Sequence, residues 1–191
     1  MQIQAGTLKR KNFLRGGILL TLENLSVNFG DKKALSKINL KVTKGEILFV
    51  TGVSGAGKTT LLRCIAGEVN PSNGKVNGIE RSVFISRVFQ DLRLIQDLSV
   101  WENLRLSFDP LIYKNQKEFK DEAVRLCNFF SIKDRLNDKV MNLNGGLKQL
   151  IALIRSLLSK PELILLDEPT SSLDTESALR VFELLEKFNE I

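Results

Sequence analysis

The 191-residue sequence predicts an α/β fold with a mostly parallel sheet, and three observations carry that expectation. Apolar runs of strand length alternate with amphipathic runs of helical length. A glycine-rich stretch, Gly52-Val-Ser-Gly55-Ala-Gly57-Lys58-Thr59, stands between one such strand and one such helix. Far downstream a second apolar run, Glu162-Leu-Ile-Leu-Leu-Asp167-Glu168, ends in two adjacent carboxylates.

In chain order, Ile18–Val27 and Ile38–Val42 read as strands of a small antiparallel β subdomain, with a Gly30-Asp31 turn after the first. Glu46–Thr51 is the strand entering the glycine-rich loop, and Thr60–Ala66 is the helix leaving it. Pro71-Ser-Asn-Gly74 marks a turn and Arg81–Phe89 a further strand. Trp101–Leu106 and Lys117–Phe130 read as helices, the second placing Phe119, Val124, Cys127 and Phe130 at helical spacing toward a core. Gly145–Ser159 is a strongly apolar helix. The run ending at Asp167 has the continuous apolar character of a parallel strand buried on both faces. Thr175–Phe188 repeats Ala178, Phe182, Leu185 and Phe188 on one helical face. This organisation gives one domain over residues 18–191, with a helical subdomain at about residues 91–145.

Composition narrows the class. Hydrophobic residues at 43% and charged residues at 26% are ordinary for a globular chain. No apolar stretch approaches the ~20 residues of a membrane span, and the first residues lack the apolar centre of a signal peptide. Cys64 and Cys127 are widely separated, which suits reduced thiols in a cytoplasmic setting and gives no metal-ligand spacing. Four of the six net positive charges are Lys9, Arg10, Lys11 and Arg15, so the remainder carries only about +2 and does not have the charge of a nucleic-acid binder. Residues 1–17 end in Gly16-Gly17 without an apolar period and read as a disordered basic tail, a solvated tail or a misassigned start being preferred over an arm touching anionic lipid.

The spacing G-x-x-x-x-G-K-[ST] has a mechanical cause. Gly52, Gly55 and Gly57 lack a Cβ, so the backbone can curl until successive N–H groups point inward at phosphates. Lys58 then reaches the β- and γ-phosphates of a nucleotide, and the Thr59 hydroxyl becomes a Mg²⁺ ligand. Ser54, Ala56 and Thr60 complete the phosphate contacts, the last at the N-terminus of the following helix. A run such as Leu163–Glu168 could be a plain core strand followed by a helix start. Downstream of a phosphate loop it acquires a role: Asp167 holds Mg²⁺ through water, and Glu168 accepts a proton from the water that attacks the γ-phosphate.

The order of five segments carries a family resemblance. The phosphate loop is followed by Val88-Phe89-Gln90-Asp91, Leu143-Asn144-Gly145-Gly146, Leu163–Glu168 and Ser171-Ser-Leu-Asp174. From about Leu20 onward this resembles the ATP-binding subunits of ABC transporters. Val88–Leu94 and Val100-Trp-Glu-Asn103 look most like the bacterial cell-division type, FtsE; lipoprotein-releasing and amino-acid-importing subunits share much of the pattern. The resemblance implies roles for the matching positions. Phe29 falls where the family stacks an aromatic on adenine, although a core aromatic at a strand end would look the same. Gln90 would reach Mg²⁺ and the attacking water. Asn144, Gly145 and Gly146 would open a helix onto the γ-phosphate held by a second copy, in a head-to-tail homodimer around two ATPs, with Asp174 at the dimer interface. The implied assembly sits on the cytoplasmic face of the inner membrane. Residues 90–106 would dock an integral membrane subunit, FtsX-like or a permease. DNA-repair and translation members carry a long heptad insertion or two cassettes, and this sequence has neither, so no nucleic-acid partner is expected.

Departures from the family pattern bear on activity. Asn144 replaces the usual Ser, Leu147 replaces a polar residue, and Leu150 stands where an Arg is common. The stretch from Pro71 to Gln90 is short, which implies a trimmed antiparallel subdomain. The family has one more strand after Thr175–Phe188, ending in a γ-phosphate-contacting histidine; the sequence contains no histidine and stops at Ile191. We therefore expect an incomplete sequence or a truncated gene product lacking a C-terminal strand, rather than a naturally shortened enzyme. A form with that strand missing and with Leu147 in the signature should hydrolyse ATP slowly, and a low-turnover regulatory ATP-binding scaffold is the second reading.

Overall fold

A computed structural model describes residues 17–78 and 83–189, together with the backbone of residues 4–8. It divides into two compact units. One comprises the residues through Val83 and those from Leu185 on, and the other is Phe84–Leu184.

In the first unit, Gln4–Leu8 forms strand β1. This stretch lies inside the tail expected to be disordered, and that expectation is corrected here: its backbone pairs antiparallel with β4 (Ile47–Thr51), from Gln4 opposite Thr51 to Leu8 opposite Ile47. The basic residues 9–15 lie outside the described residues. Strands β2 (Ile18–Phe29) and β3 (Lys32–Thr43) form a long hairpin across the expected Gly30-Asp31 turn, where Gly30 takes a left-handed φ of 56°. Leu20, Leu22, Leu25 and Val27 of β2 are buried. β5 (Asn73–Asn77) lies on the other edge of β2, giving the antiparallel order β3-β2-β5. The sequence reading placed only a turn there. Gly74 is obligatory at its start, because a Cβ would sit 2.4 Å from the carbonyl oxygens of Glu23 and Asn24. Helix α1 (Lys58–Ile65) follows the glycine-rich loop and buries Leu61, Cys64 and Ile65.

The second unit contains the parallel ladder of the described residues, β6 (Ile85–Val88) beside β7 (Leu163–Leu166), in the register Val88 opposite Leu166. Of the strand expected over Arg81–Phe89, Arg81 and Ser82 fall outside the described residues. Helix α2 (Val100–Arg105) starts in a capping box: Ser99 accepts from the Glu102 N–H, while the Glu102 carboxylate accepts from the Ser99 N–H. Helix α3 (Gln116–Phe129) is capped by Asn115 and packs Phe119 against Tyr113 and Phe108 in edge-on contacts. Its buried positions include Ala123 and Leu126, whereas Val124 is only half-buried. Helix α4 (Gly145–Leu158) is the spine of this unit, with Ile151, Leu153, Ile154 and Leu158 all excluded from solvent. Helix α5 (Thr175–Phe188) has the expected bounds but not the expected face: Val181 and Leu184 are buried, and Phe182, Leu185 and Phe188 are half-buried.

Candidate active site

The glycine-rich loop lies in the first unit, between β4 and α1. Gly55 and Gly57 have left-handed φ values of 76° and 93°. Gly57 is required on a second count, because a Cβ would sit 2.5 Å from the Ala34 carbonyl oxygen and 2.9 Å from Leu35 Cδ2. The loop is thus seated against β3. Lys58 folds over it, its ammonium donating to the carbonyls of Gly52 at 2.9 Å and Val53 at 3.2 Å. A cation held by its own loop's carbonyls is parked where an incoming phosphate can replace them. Ser54 and Thr59 are exposed, Thr60 is half-buried in the first turn of α1, and Ala56 is buried with its N–H turned back to the Val53 carbonyl. Phe29, at the end of β2, is 51% exposed, so it is not a core aromatic. Leu35, which touches the loop glycine, pairs with Val27, two residues from Phe29 and therefore roughly 7 Å along the strand.

The carboxylates lie in the second unit. Asp167 follows β7 directly and is 6% exposed; its N–H donates to the Val88 carbonyl at 3.2 Å, extending the ladder by one bond. Its Oδ2 is buried and has no hydrogen-bond partner among the described residues. A buried carboxylate oxygen left bare costs free energy unless a cation or ordered water completes it. That observation fits Mg²⁺ held through water, and no other described carboxylate is orphaned in this way. Gln90 stands just beyond the end of β6 on the neighbouring strand, exposed, roughly one inter-strand spacing of 5 Å from the Asp167 strand. Glu168 is exposed and has left the strand, with a left-handed φ of 51°. Non-glycine residues in that region are uncommon and concentrate at functional sites.

Helix α4 presents its N-terminus beside Ser172, in the turn that follows Glu168. Asn144 is the N-cap, its Oδ1 accepting from the Leu147 N–H at 2.9 Å. That leaves the Asn144 amide group and the glycine N–H groups at the open end of the helix. Gly146 is needed because a Cβ would lie 2.9 Å from the Ser172 carbonyl oxygen; Gly145 meets nothing closer than 3.6 Å. Leu150, at the position where the family favours an Arg, is buried in the core. Asp174 caps α5, with one oxygen accepting from the Ser177 N–H at 2.9 Å and the other from its hydroxyl at 2.8 Å. These bonds hold its carboxyl below the usual carboxylate range.

Two residues to which the sequence analysis assigns no role of their own organise these loops. Gln149 is 4% exposed; its Nε2 donates to the Glu168 carbonyl at 2.6 Å and its Oε1 accepts from the Ser172 N–H at 3.0 Å. It therefore clasps both ends of the turn running from Glu168 to Ser172. Asn103, fully buried, exchanges bonds with Ile95 at 2.9 and 3.0 Å and fixes the chain that follows Gln90 to α2. The sequence signal for Gln149 is a polar residue within an apolar helical face, and that for Asn103 is its place in the Val100–Asn103 segment.

A phosphate loop, a strand ending in a bare buried carboxylate, and a glycine-opened helix define a nucleoside-triphosphate-binding cassette. Residues 35–171 match the family model of the ABC transporter ATP-binding domain. The lipoprotein-releasing system ATP-binding protein LolD of Ehrlichia ruminantium is 38% identical over 190 residues, covering 90% of this chain and 82% of its own. The L-cystine import ATP-binding protein TcyC of Bacillus subtilis is 32% identical over 183 residues, covering 87% of this chain and 74% of its own. Among solved structures, a dimeric ATP-binding cassette in a post-hydrolysis state with ADP and phosphate bound aligns at a TM-score of 0.72 and 29% identity, over 90% of this chain and 83% of that one. The chain belongs to the ABC transporter ATP-binding family, with the α/β P-loop fold of that family's cassettes.

Proposed function

We propose that the chain binds MgATP and hydrolyses it to ADP and phosphate, and that this cycle drives a membrane partner. The observation that carries the reading is Asp167: a buried, bare carboxylate oxygen one residue before an exposed Glu168 and beside the strand that delivers Gln90. Lys58 and the loop amides of Gly52–Thr60 take the phosphates, and Phe29 offers its exposed ring to the base. Thr59, Asp167 and Gln90 have the oxygen donors that Mg²⁺ requires. Bound Mg²⁺ would neutralise charge on the β- and γ-phosphates. Glu168 accepts the proton of the attacking water, and its exposure leaves the carboxylate accessible to solvent. Asn144, Gly145 and Gly146 serve the γ-phosphate of a second copy in a head-to-tail dimer; the dimeric cassette of similar sequence supports this.

The partner surface lies over residues 90–106. Ile95 and Leu106 are exposed apolar residues there, and a cavity of about 290 Å³ opens between Leu92, Leu106, Ser107 and Arg155. An integral membrane subunit would seat there, with the cassette peripheral on the cytoplasmic face. Identity to LolD supports a lipoprotein-release type of partner, while Val88–Leu94 and Val100–Asn103 support the FtsE and FtsX-like cell-division type. Co-purification of the membrane subunit distinguishes the two. A low-turnover scaffold is the second reading, favoured by Leu147, which offers no polar side chain at the mouth of α4.

Two variants test the chemistry together. Lys58→Ala should abolish MgATP binding in calorimetry. Glu168→Gln should keep binding while lowering turnover at least about 10²-fold. Unchanged affinity in the first would overturn the nucleotide site, and equal loss of binding and turnover in the second would make Glu168 structural.

A further inference from the structure

Gln90 is exposed, yet the backbone that follows it is tightly held. Leu92 and Arg93 are consecutive non-glycine residues with left-handed φ values of 58° and 45°. Such a pair persists only where the surroundings over-determine it. The kink turns two carbonyls toward the last turns of α4. There the Arg155 guanidinium receives both, Nη1 donating to the Arg93 carbonyl at 2.9 Å and Nη2 to the Leu92 carbonyl at 3.0 Å. On the other side, the Arg93 guanidinium carbon lies 3.2 Å from the centre of the Phe89 ring, and the Leu92 N–H donates to the Phe89 carbonyl at 3.0 Å. The strand beneath is tied to the same helix, with Ser86 Oγ 2.7 Å from Ser156 Oγ. Burial disfavours the Arg155 charge, so the two carbonyls are what its desolvated guanidinium is bonded to.

We infer that Arg155 is a positioning residue for Gln90: by bridging the Leu92 and Arg93 carbonyls it holds the left-handed turn that sets where the Gln90 amide stands, and it does so from α4, the helix whose other end is the Asn144 cap. The planar two-pronged guanidinium suits two adjacent carbonyls, whereas a lysine ammonium is a single point. The inference rests on the reading of Gln90 as a ligand of Mg²⁺ and the attacking water.

The test is a double-mutant cycle between Arg155→Met and Gln90→Ala in the full chain. Three readouts are taken: Mn²⁺ binding in the presence of ATP by electron paramagnetic resonance, ATP affinity without divalent metal, and single-turnover hydrolysis of radiolabelled ATP. Outer-shell support of a metal ligand is typically worth about 10–100-fold in metal affinity. Arg155→Met should weaken Mn²⁺ binding and slow hydrolysis by a factor in that range, matching Gln90→Ala. Metal-free ATP affinity should stay unchanged, and the double variant should lose no more than either single one. Hydrogen exchange at residues 91–94 should rise. Additive losses, or a fall in metal-free ATP affinity equal to the fall in Mn²⁺ affinity, would overturn the proposal in favour of a purely structural Arg155. An effect of Gln90→Ala with none from Arg155→Met would overturn the proposal alone, while a silent Gln90→Ala would overturn the Gln90 reading and the proposal with it. Should Arg155→Met fail to fold, Arg155→Lys is read in the same cycle, with an intermediate, non-additive loss expected and wild-type behaviour refuting.

Discussion

Replacing Gln149 by Leu keeps the volume of the side chain and removes its two functions. The glutamine donates to the Glu168 carbonyl at 2.6 Å and accepts from the Ser172 N–H at 3.0 Å, from a site 4% exposed. Each such bond contributes about 0.5–1.5 kcal/mol net, and an abandoned buried partner costs about 1–3 kcal/mol. Ser172 and Glu168 are themselves exposed, so water re-solvates part of what is lost and the lower ends of those ranges apply. A loss of about 1–3 kcal/mol follows, read as a fall in melting temperature of about 2–12 °C in a domain of this size. The kinetic effect should exceed the stability effect. The Glu168 carbonyl accepts from Gln149 Nε2 and, at 3.2 Å, from the Ser171 N–H, so losing Gln149 loosens the left-handed turn, and a displacement of about 1 Å at a catalytic group can cost about 10²-fold. Single-turnover hydrolysis of radiolabelled ATP should therefore slow by one to two orders of magnitude while equilibrium ATP binding stays near wild type. A destabilised variant with unchanged turnover would refute the reasoning, because it would show that Glu168 finds its position without Gln149.

Gly146→Ala places a Cβ 2.9 Å from the Ser172 carbonyl oxygen, a backbone atom that cannot step aside alone; thermal denaturation should register a loss of about 1–3 kcal/mol, and an unchanged melting temperature would show that the Ser171–Asp174 loop is free to move away. Burial pushes the Cys127 thiol from 9.0 up to about 11, so the folded chain holds that proton more tightly than the unfolded one. Its contribution to stability is fully present below pH 9 and is lost as pH rises toward 11, so urea midpoints should fall across that window in the wild type and less so in Cys127→Ala.

What the sequence made legible was chemistry whose spacing has a local cause. The glycines of residues 52–57 and the carboxylates ending the Leu163–Leu166 strand each sit at the junction of a strand with a loop, and a strand–loop–helix pattern is local enough to read. The bounds of α5 were legible for the same reason. Its buried face was not, because α5 is amphipathic over a wide arc, and which arc turns inward depends on the elements it meets rather than on its own period. β5 escaped notice because Asn-Gly-Lys-Val-Asn carries one apolar residue; it is a strand through pairing with β2, Val76 opposite Leu22, and not through its own composition. The pairing of Gln4–Leu8 with β4 likewise depends on a long-range ladder that no window of sequence contains.

The residues that set the geometry of the candidate site were the least legible of all. Gln149 and Arg155 read as two polar interruptions of an apolar helix, and their partners are backbone carbonyls and a backbone N–H, which no sequence distinguishes. Yet both clasp segments with left-handed non-glycine backbone, one at Glu168 and the other at Leu92 and Arg93. The two clasps lie six positions apart on one helix, roughly 9 Å along its axis, so neither loop can shift along α4 without breaking a bond to it. Because α4 also begins at the Asn144 cap, a displacement of this helix by whatever binds its N-terminus would be felt at Glu168 and at the Gln90 turn together. Strain at the two loops and the buried polar side chains that hold it are thus two sides of one arrangement: the loops supply reactive groups in conformations they would not keep alone, and α4 supplies the hydrogen bonds that keep them there.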